Sequence, residues 1–97
     1  MRRLDWMQRR TFRIYNEPIE IRERRHGYIP QAFLWHGRCY HIHAVERCWT
    51  VLGRRQDVGR LCFLVRCAEG VFEVYQNLTT NTWHLSKAQW CDHRPLA

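Results

Sequence analysis

Arg60–Trp90 reads RLCFLVRCAEGVFEVYQNLTTNTWHLSKAQW, and this stretch decides the fold. Arg60–Cys67 is an apolar run, Ala68-Glu69-Gly70 a short turn, Val71–Tyr75 a second run and Thr82–Gln89 a third. β-branched and aromatic residues fill the runs, while Gly, Asn and Thr punctuate them. That is the pattern of consecutive hairpin strands, here a three-stranded meander.

Working outward, Leu52–Gly59 (LGRRQDVG) is a polar, basic loop flanked by glycines. Before it lies Arg38–Val51, a long segment whose apolar parity switches part-way. Tyr40, Ile42 and Ala44 share one face, whereas Val45, Trp49 and Val51 fall on the other. A β-bulge or bend near Ala44–Arg47 would return the apolar side to the core. His36-Gly37 makes a tight turn, and Gln31–Trp35 (QAFLW) is a strand apolar on both faces, hence central. Arg25-His26-Gly27, with Pro30 nearby, supplies the turn before it. Ile19–Arg24 alternates as a half-buried strand, and Pro18, which cannot donate to a ladder, is expected at its start.

These elements predict an all-β domain over residues 14–92, with a basic arm at 1–13 and a short tail at 93–97. Five or six antiparallel strands in so short a chain close most readily as a small barrel or rolled sheet, which removes exposed edges. At 97 residues, with 45% apolar side chains and five Trp, the chain supports one modest core.

The charge balance is 16 Lys+Arg against 9 Asp+Glu, net +7, and Lys87 is the only lysine. A GC-rich genome explains such arginine enrichment without any partner. An anionic partner explains it equally, because guanidinium binds phosphate through two parallel hydrogen bonds and stacks on bases. The arm carries Arg9, Arg10 and Arg13 beside Arg2 and Arg3. It is either a frayed terminus or a segment that orders on nucleic acid or an acidic protein surface. Five cysteines form no CxxC pair, no apolar stretch follows the N-terminal charges, and no run reaches membrane-spanning length. The expectation is a reducing, cytoplasmic setting with free thiols and no membrane association.

In order along the chain, IYNEPIEI (Ile14–Ile21), AFLWHGRCY (Ala32–Tyr40), GVFEVY (Gly70–Tyr75) and TWHL (Thr82–Leu85) resemble the bacterial domain of unknown function numbered 6504. The resemblance spans roughly Arg13 to Asp92. Its motifs are hydrophobic and structural, so it speaks to family more than to activity. Relatives stand alone or beside Y-family translesion polymerases, which implies a DNA-repair neighbourhood. Where relatives carry arginines in R-x-Y-x-V-x-R, this chain reads Arg38-Cys39-Tyr40-His41-Ile42-His43. The charged loop between the later strands is here the neutral Asn77–Asn81.

Three chemistries compete. Cys39-x-His41-x-His43 puts three metal-ligating types on one strand face, with His36, Cys67, His84 or His93 as further ligands; the bland alternative is a weakly basic, solvated strand. Arg38, Arg47, Arg54, Arg55 and Arg60 bracket the bent strand and its loop, interleaved with Tyr40 and Trp49. With Arg9, Arg10, Arg13, His41 and His43 they make the candidate nucleic-acid surface, DNA being the favoured polymer. Catalysis has thin support: Cys91-Asp92-His93 are adjacent in sequence and cannot face one another as a triad. No glycine-rich phosphate loop occurs, and no cofactor is expected. The leading expectation is a non-catalytic accessory module that binds nucleic acid. The alternatives are an interaction module docking a larger bacterial complex and, more distantly, a small metal site.

Overall fold

A computed structural model describes residues 11–27, 29–54 and 57–91. Six strands follow one another: β1 (Arg13–Arg25), β2 (Ile29–Trp35), β3 (Arg38–Leu52), β4 (Val58–Cys67), β5 (Gly70–Asn77) and β6 (Thr82–Trp90). Each pairs antiparallel with its sequence neighbour, and β1 pairs with β6, closing a barrel. The expected all-β barrel is therefore the observed architecture.

The meander forms as its pattern requires. Phe63, Val65 and Cys67 of β4 lie opposite Val74, Phe72 and Gly70 of β5. Leu85 and Ala88 of β6 continue the same inner rows. Phe33, Phe63, Phe72, Val65, Val74 and Leu85 are wholly buried and fill the barrel. The inward side chains of these rows meet one another and form the core of the barrel. Each large apolar side chain so buried stabilises the fold by roughly 1.5–3 kcal/mol.

The turns follow local chemistry. His36 and Gly37 both adopt positive φ, 53° and 77°, the geometry of a two-residue hairpin that continues the strand twist. Gly70 has φ of 154°, and a Cβ there would collide with the carbonyl oxygen of Gln89 across the ladder. In the neutral loop the Asn77 side-chain oxygen accepts from the backbone N–H of Thr79 and Thr80, at 2.9 and 3.2 Å. Asparagine thereby fixes the turn after β5 without any charge.

β1 is longer than expected. It begins at Arg13, so Pro18 lies inside the strand, opposite His84, rather than at its start. A register shift between Ile14 and Glu17, with Asn16 at φ 55°, bends the strand just before the proline. β3 carries the expected bulges, at Ile42/Ala44 and Val45/Arg47, and a third register shift opposite Val51/Leu52 falls on β4, where Gly59 is the extra residue. No helix among the described residues is long and apolar enough to cross a membrane.

One end of the barrel is closed by an aromatic cap. Trp35 meets Tyr15 edge-on at 4.8 Å between ring centroids and stacks with Trp90 at 5.9 Å. Both indole N–H groups find oxygen: Trp35 Nε1 donates to Glu17 Oε1 and Trp90 Nε1 to Tyr15 Oη, each at 2.9 Å. The buried Trp35 indole needs such a partner, Trp90 is more exposed, and β1 provides both acceptors.

Candidate nucleic-acid interface

The outer wall of the barrel carries a cross-strand row built by register. Trp49 of β3 lies opposite Cys62 of β4, Cys62 opposite Tyr75 of β5, and Tyr75 opposite His84 of β6. Tyr75 and His84 are stacked at 5.1 Å with ring planes 20° apart. The guanidinium carbon of Arg60 sits 4.3 Å above the Tyr75 ring centroid, and that of Arg47 lies 5.3 Å from the Trp49 ring. Arg60 covers Tyr75 so well that this outward ring is only 7% exposed. Thr82 Oγ1 lies 3.0 Å from His84 Nε2 and holds the far end of the row.

Among the described residues, no carboxylate pairs with Arg47, Arg54 or Arg60. Elsewhere on the wall, charges are neutralised in place: Arg66 bonds Glu46 at 2.6 Å and Lys87 approaches Glu73 at 3.9 Å. Arg47 and Arg60 thus bring unpaired guanidinium groups to the aromatic row, while Arg13, Arg24 and Arg25 of β1 are likewise without a carboxylate partner among the described residues. Arg54 lies at the β3–β4 turn, lining a surface hollow with Arg60, Asn77 and Thr79.

Sequence reasoning groups residues that the fold separates. Tyr40, expected as an exposed stacking ring, is a core residue at 4% exposure, stacked on Phe33 at 5.2 Å. Burial pushes its phenol pKa upward, with the Glu69 carboxylate adding to the rise and Arg38 opposing it. Arg38 bonds Glu69 at 3.3 Å and covers Tyr40, on the capped end of the barrel. Neither belongs to the Arg47–Arg60 surface. Arg13 opens β1 opposite Ala88, and His41 lies exposed on β3 opposite Ala32. Arg9, Arg10 and Arg55 lie outside the described residues, as do the tail residue His93 and most of the arm.

The Cys39/His41/His43 expectation also changes. The register skips His43 between Ile42 and Ala44, so the alternation that would align it with Cys39 and His41 is broken. His43 instead lines a hollow with Cys48 and Phe63. Among the described residues no group of three or more His, Cys, Asp or Glu is close enough to hold a metal.

The sequence alone leaves Tyr75 in the scaffold and offers His84 only as a further metal ligand. A signal for Tyr75 is nonetheless there: in Val71–Tyr75, Glu73 marks the outward parity, and Tyr75 shares it. What alternation does not supply is the register that brings His84 and Arg60 onto that ring.

The model of the family described as a domain of unknown function, DUF6504, matches residues 7–94. The chain belongs to the DUF6504 family. No curated protein and no solved structure matches the chain. The DUF6504 match embraces every strand of the barrel and thus the whole aromatic row, so the row is part of the family domain and no appendage to it.

Proposed function

We propose that this DUF6504 protein is a non-catalytic module that binds single-stranded nucleic acid, DNA by preference, across Arg47, Trp49, Arg60, Tyr75 and His84. The observation that carries this reading is the Arg60 guanidinium seated on Tyr75 beside the stacked His84 ring. A flat cation backed by aromatic rings offers a base a stacking surface and a phosphate two parallel donors. Base–aromatic stacking contributes about 1–3 kcal/mol per base and tolerates any sequence. Arg47 on Trp49 repeats the arrangement along the row. The net charge of +7 supplies the long-range attraction. A DNA-repair setting beside a translesion polymerase is part of the same proposal, and it rests on the family resemblance of the strand motifs.

The test is oligonucleotide affinity against salt, single-stranded and duplex, by fluorescence anisotropy. Single-stranded DNA is expected to bind more tightly, with log K falling linearly against log salt. Each phosphate neutralised on a single strand adds about 0.7 to that slope, so Arg47→Ala with Arg60→Ala should make it shallower by about 1.4. No binding at low salt, or an unchanged slope, overturns the reading. A second reading, a protein-interaction module, is favoured by the β3 edge beyond His41, which has no strand partner on its β2 side among the described residues.

A further inference from the structure

The barrel is closed unevenly. β2 pairs with β3 only from Ala32 opposite His41 to Trp35 opposite Arg38. From Ile42 onward β3 pairs with β4 alone, through to Leu52. On the other side of the gap, Ile29 and Pro30 pair with β1 alone. β2 begins at Ile29, which the β2–β3 register, continued, would set beside Ala44, so β3 outruns β2 from Val45 onward, and the bulges at Ile42/Ala44 and Val45/Arg47 fall where the two ladders part. The edge of β3 that faces the gap runs without a strand partner among the described residues.

A hollow of about 360 Å³ opens beside that edge. Its wall is mostly apolar, with Ile29 on β2, Ile42, Ala44 and Val45 on β3, and Leu61 and Phe63 on β4. Arg25, Gln31, His43 and Cys48 stand among them. Beyond the hollow, Arg47 to Val51 keeps unbroken register with β4 from Leu64 to Arg60, so that part of the free edge is regular strand. Val45, Val51 and Leu52 are exposed along it, Leu52 by 59%.

We infer that the β3 edge receives an extended peptide from a partner protein, added as a strand along Arg47–Val51, with one apolar side chain in the hollow. Backbone and cavity favour this occupant together. An unpaired strand edge offers a row of N–H and C=O groups that only another backbone satisfies throughout. Inward side chains of an added strand alternate, so one of them falls over Cys48, Leu61 and Phe63. The β2 side of the gap is unsuited to the same role, because Pro30 has no N–H to give. Charge selects the peptide's outer residues. Arg25 and His43 line the hollow and Arg47 stands on the edge strand itself, while the nearby Glu46 is already held by Arg66. The partner segment is therefore an alternating apolar and acidic one. The edge shares Arg47 and Trp49 with the nucleic-acid surface, whereas Tyr75 and His84 lie on β5 and β6 and belong to that surface alone.

The probe is a synthetic peptide of about nine residues alternating Val and Glu, a typical strand length, beside an alternating Val and Lys control. Full-length, isotope-labelled protein is titrated by NMR. The acidic peptide should shift amides of Ile29–Gln31 and Ile42–Leu52 saturably. Those amides of Arg47–Val51 that do not bond β4 should exchange with deuterium at least about tenfold more slowly. The basic control should bind about tenfold or more weakly. Ala44→Phe, which fills the hollow, should weaken binding by a similar factor. Should that variant fail to fold, a Val-Glu peptide N-methylated at alternate backbone positions tests the same edge on the unaltered protein and should not bind. Shifts confined to Trp49, Tyr75 and His84, equal binding of both peptides, or no saturation by about 1 mM overturns the proposal. So does slow exchange at Arg47–Val51 that appears with protein concentration alone, which would make a second copy of this chain the occupant. Oligonucleotide binding with no peptide binding would remove this inference and leave the nucleic-acid reading standing; the opposite result would do the reverse.

Discussion

Arg60 and Tyr75 are on adjacent strands, and the guanidinium carbon of one sits over the ring of the other, 4.3 Å from its centroid. The contact orders a long side chain that would otherwise be free in solvent. Lysine in its place would keep the charge but lose the planar stack. Arg60→Lys is accordingly expected to retain the salt slope of oligonucleotide binding while lowering affinity about tenfold; anisotropy titrations at several salt concentrations separate the two effects. Equal affinity would show that the stack contributes nothing.

A second prediction concerns the capped end. Glu17 accepts from Trp35 Nε1 and lies 2.7 Å from His36 Nε2. Glu17→Ala leaves the buried indole N–H without an acceptor and should cost about 1–3 kcal/mol. Glu17→Gln retains a side-chain carbonyl at the same place and should cost much less. Urea denaturation followed by tryptophan fluorescence measures both.

The cysteines should sort by position. Cys39, Cys48 and Cys91 are exposed, whereas Cys62 and Cys67 are buried. Burial raises both buried thiols, and Cys67 is pushed to about 12 by burial and then by the Glu69 carboxylate. A thiol reagent should modify the three exposed cysteines in the native protein and the buried pair only after unfolding. Mass spectrometry of the labelled chain reads the count.

The same burial sets a pH dependence. An unfolded Cys67 loses its proton near 9, the ordinary value, while the folded one holds it to about 12. Between these values the folded state binds more protons, so its stability falls as pH rises through that window. Cys62 and Tyr40, both raised by burial, act in the same direction. Chemical denaturation at pH 8 and at pH 10, values chosen about one unit either side of the unfolded thiol pKa, should show the lower stability at the alkaline end, and Cys67→Ala should reduce the difference.

Gly70 and Gly27 give a paired test of backbone against packing. Both have positive φ, but a Cβ at Gly27 meets nothing within 4 Å, whereas at Gly70 it strikes Gln89. Gly27→Ala should cost about 1 kcal/mol of strain alone. Gly70→Ala should cost several times more or prevent folding, and thermal melts rank them.

The strands are legible where polarity alternates or turn residues intervene, as in Val71–Tyr75 and at His36-Gly37. The parity switch in Arg38–Val51 locates the bulges, because an apolar row cannot change sides of a strand without an extra residue. Pro18 misleads, since a proline with its ring on the solvent side is tolerated inside β1 once a bulge precedes it. The candidate site is half legible. Arg47, Trp49, Arg54 and Arg60 emerge from charge interleaved with aromatics, yet Tyr40 is grouped with them although its ring points into the barrel. The stacking of His84 on Tyr75 escapes notice because it depends on which residue lies across the ladder, and register is a property of pairs of strands. The hollow beside β3 is invisible for the same reason: it exists because two ladders diverge, and no single segment encodes a gap.

The β1–β6 seam has a last consequence. Arg13 lies opposite Ala88, so the chain enters and leaves the barrel side by side. A domain with such a doorway can be spliced into a surface loop of a host protein without prising the host open. It also tolerates rewiring: joining residues 13 and 90 by a short linker and cutting within Asn77–Asn81 should yield a permuted chain with the same barrel.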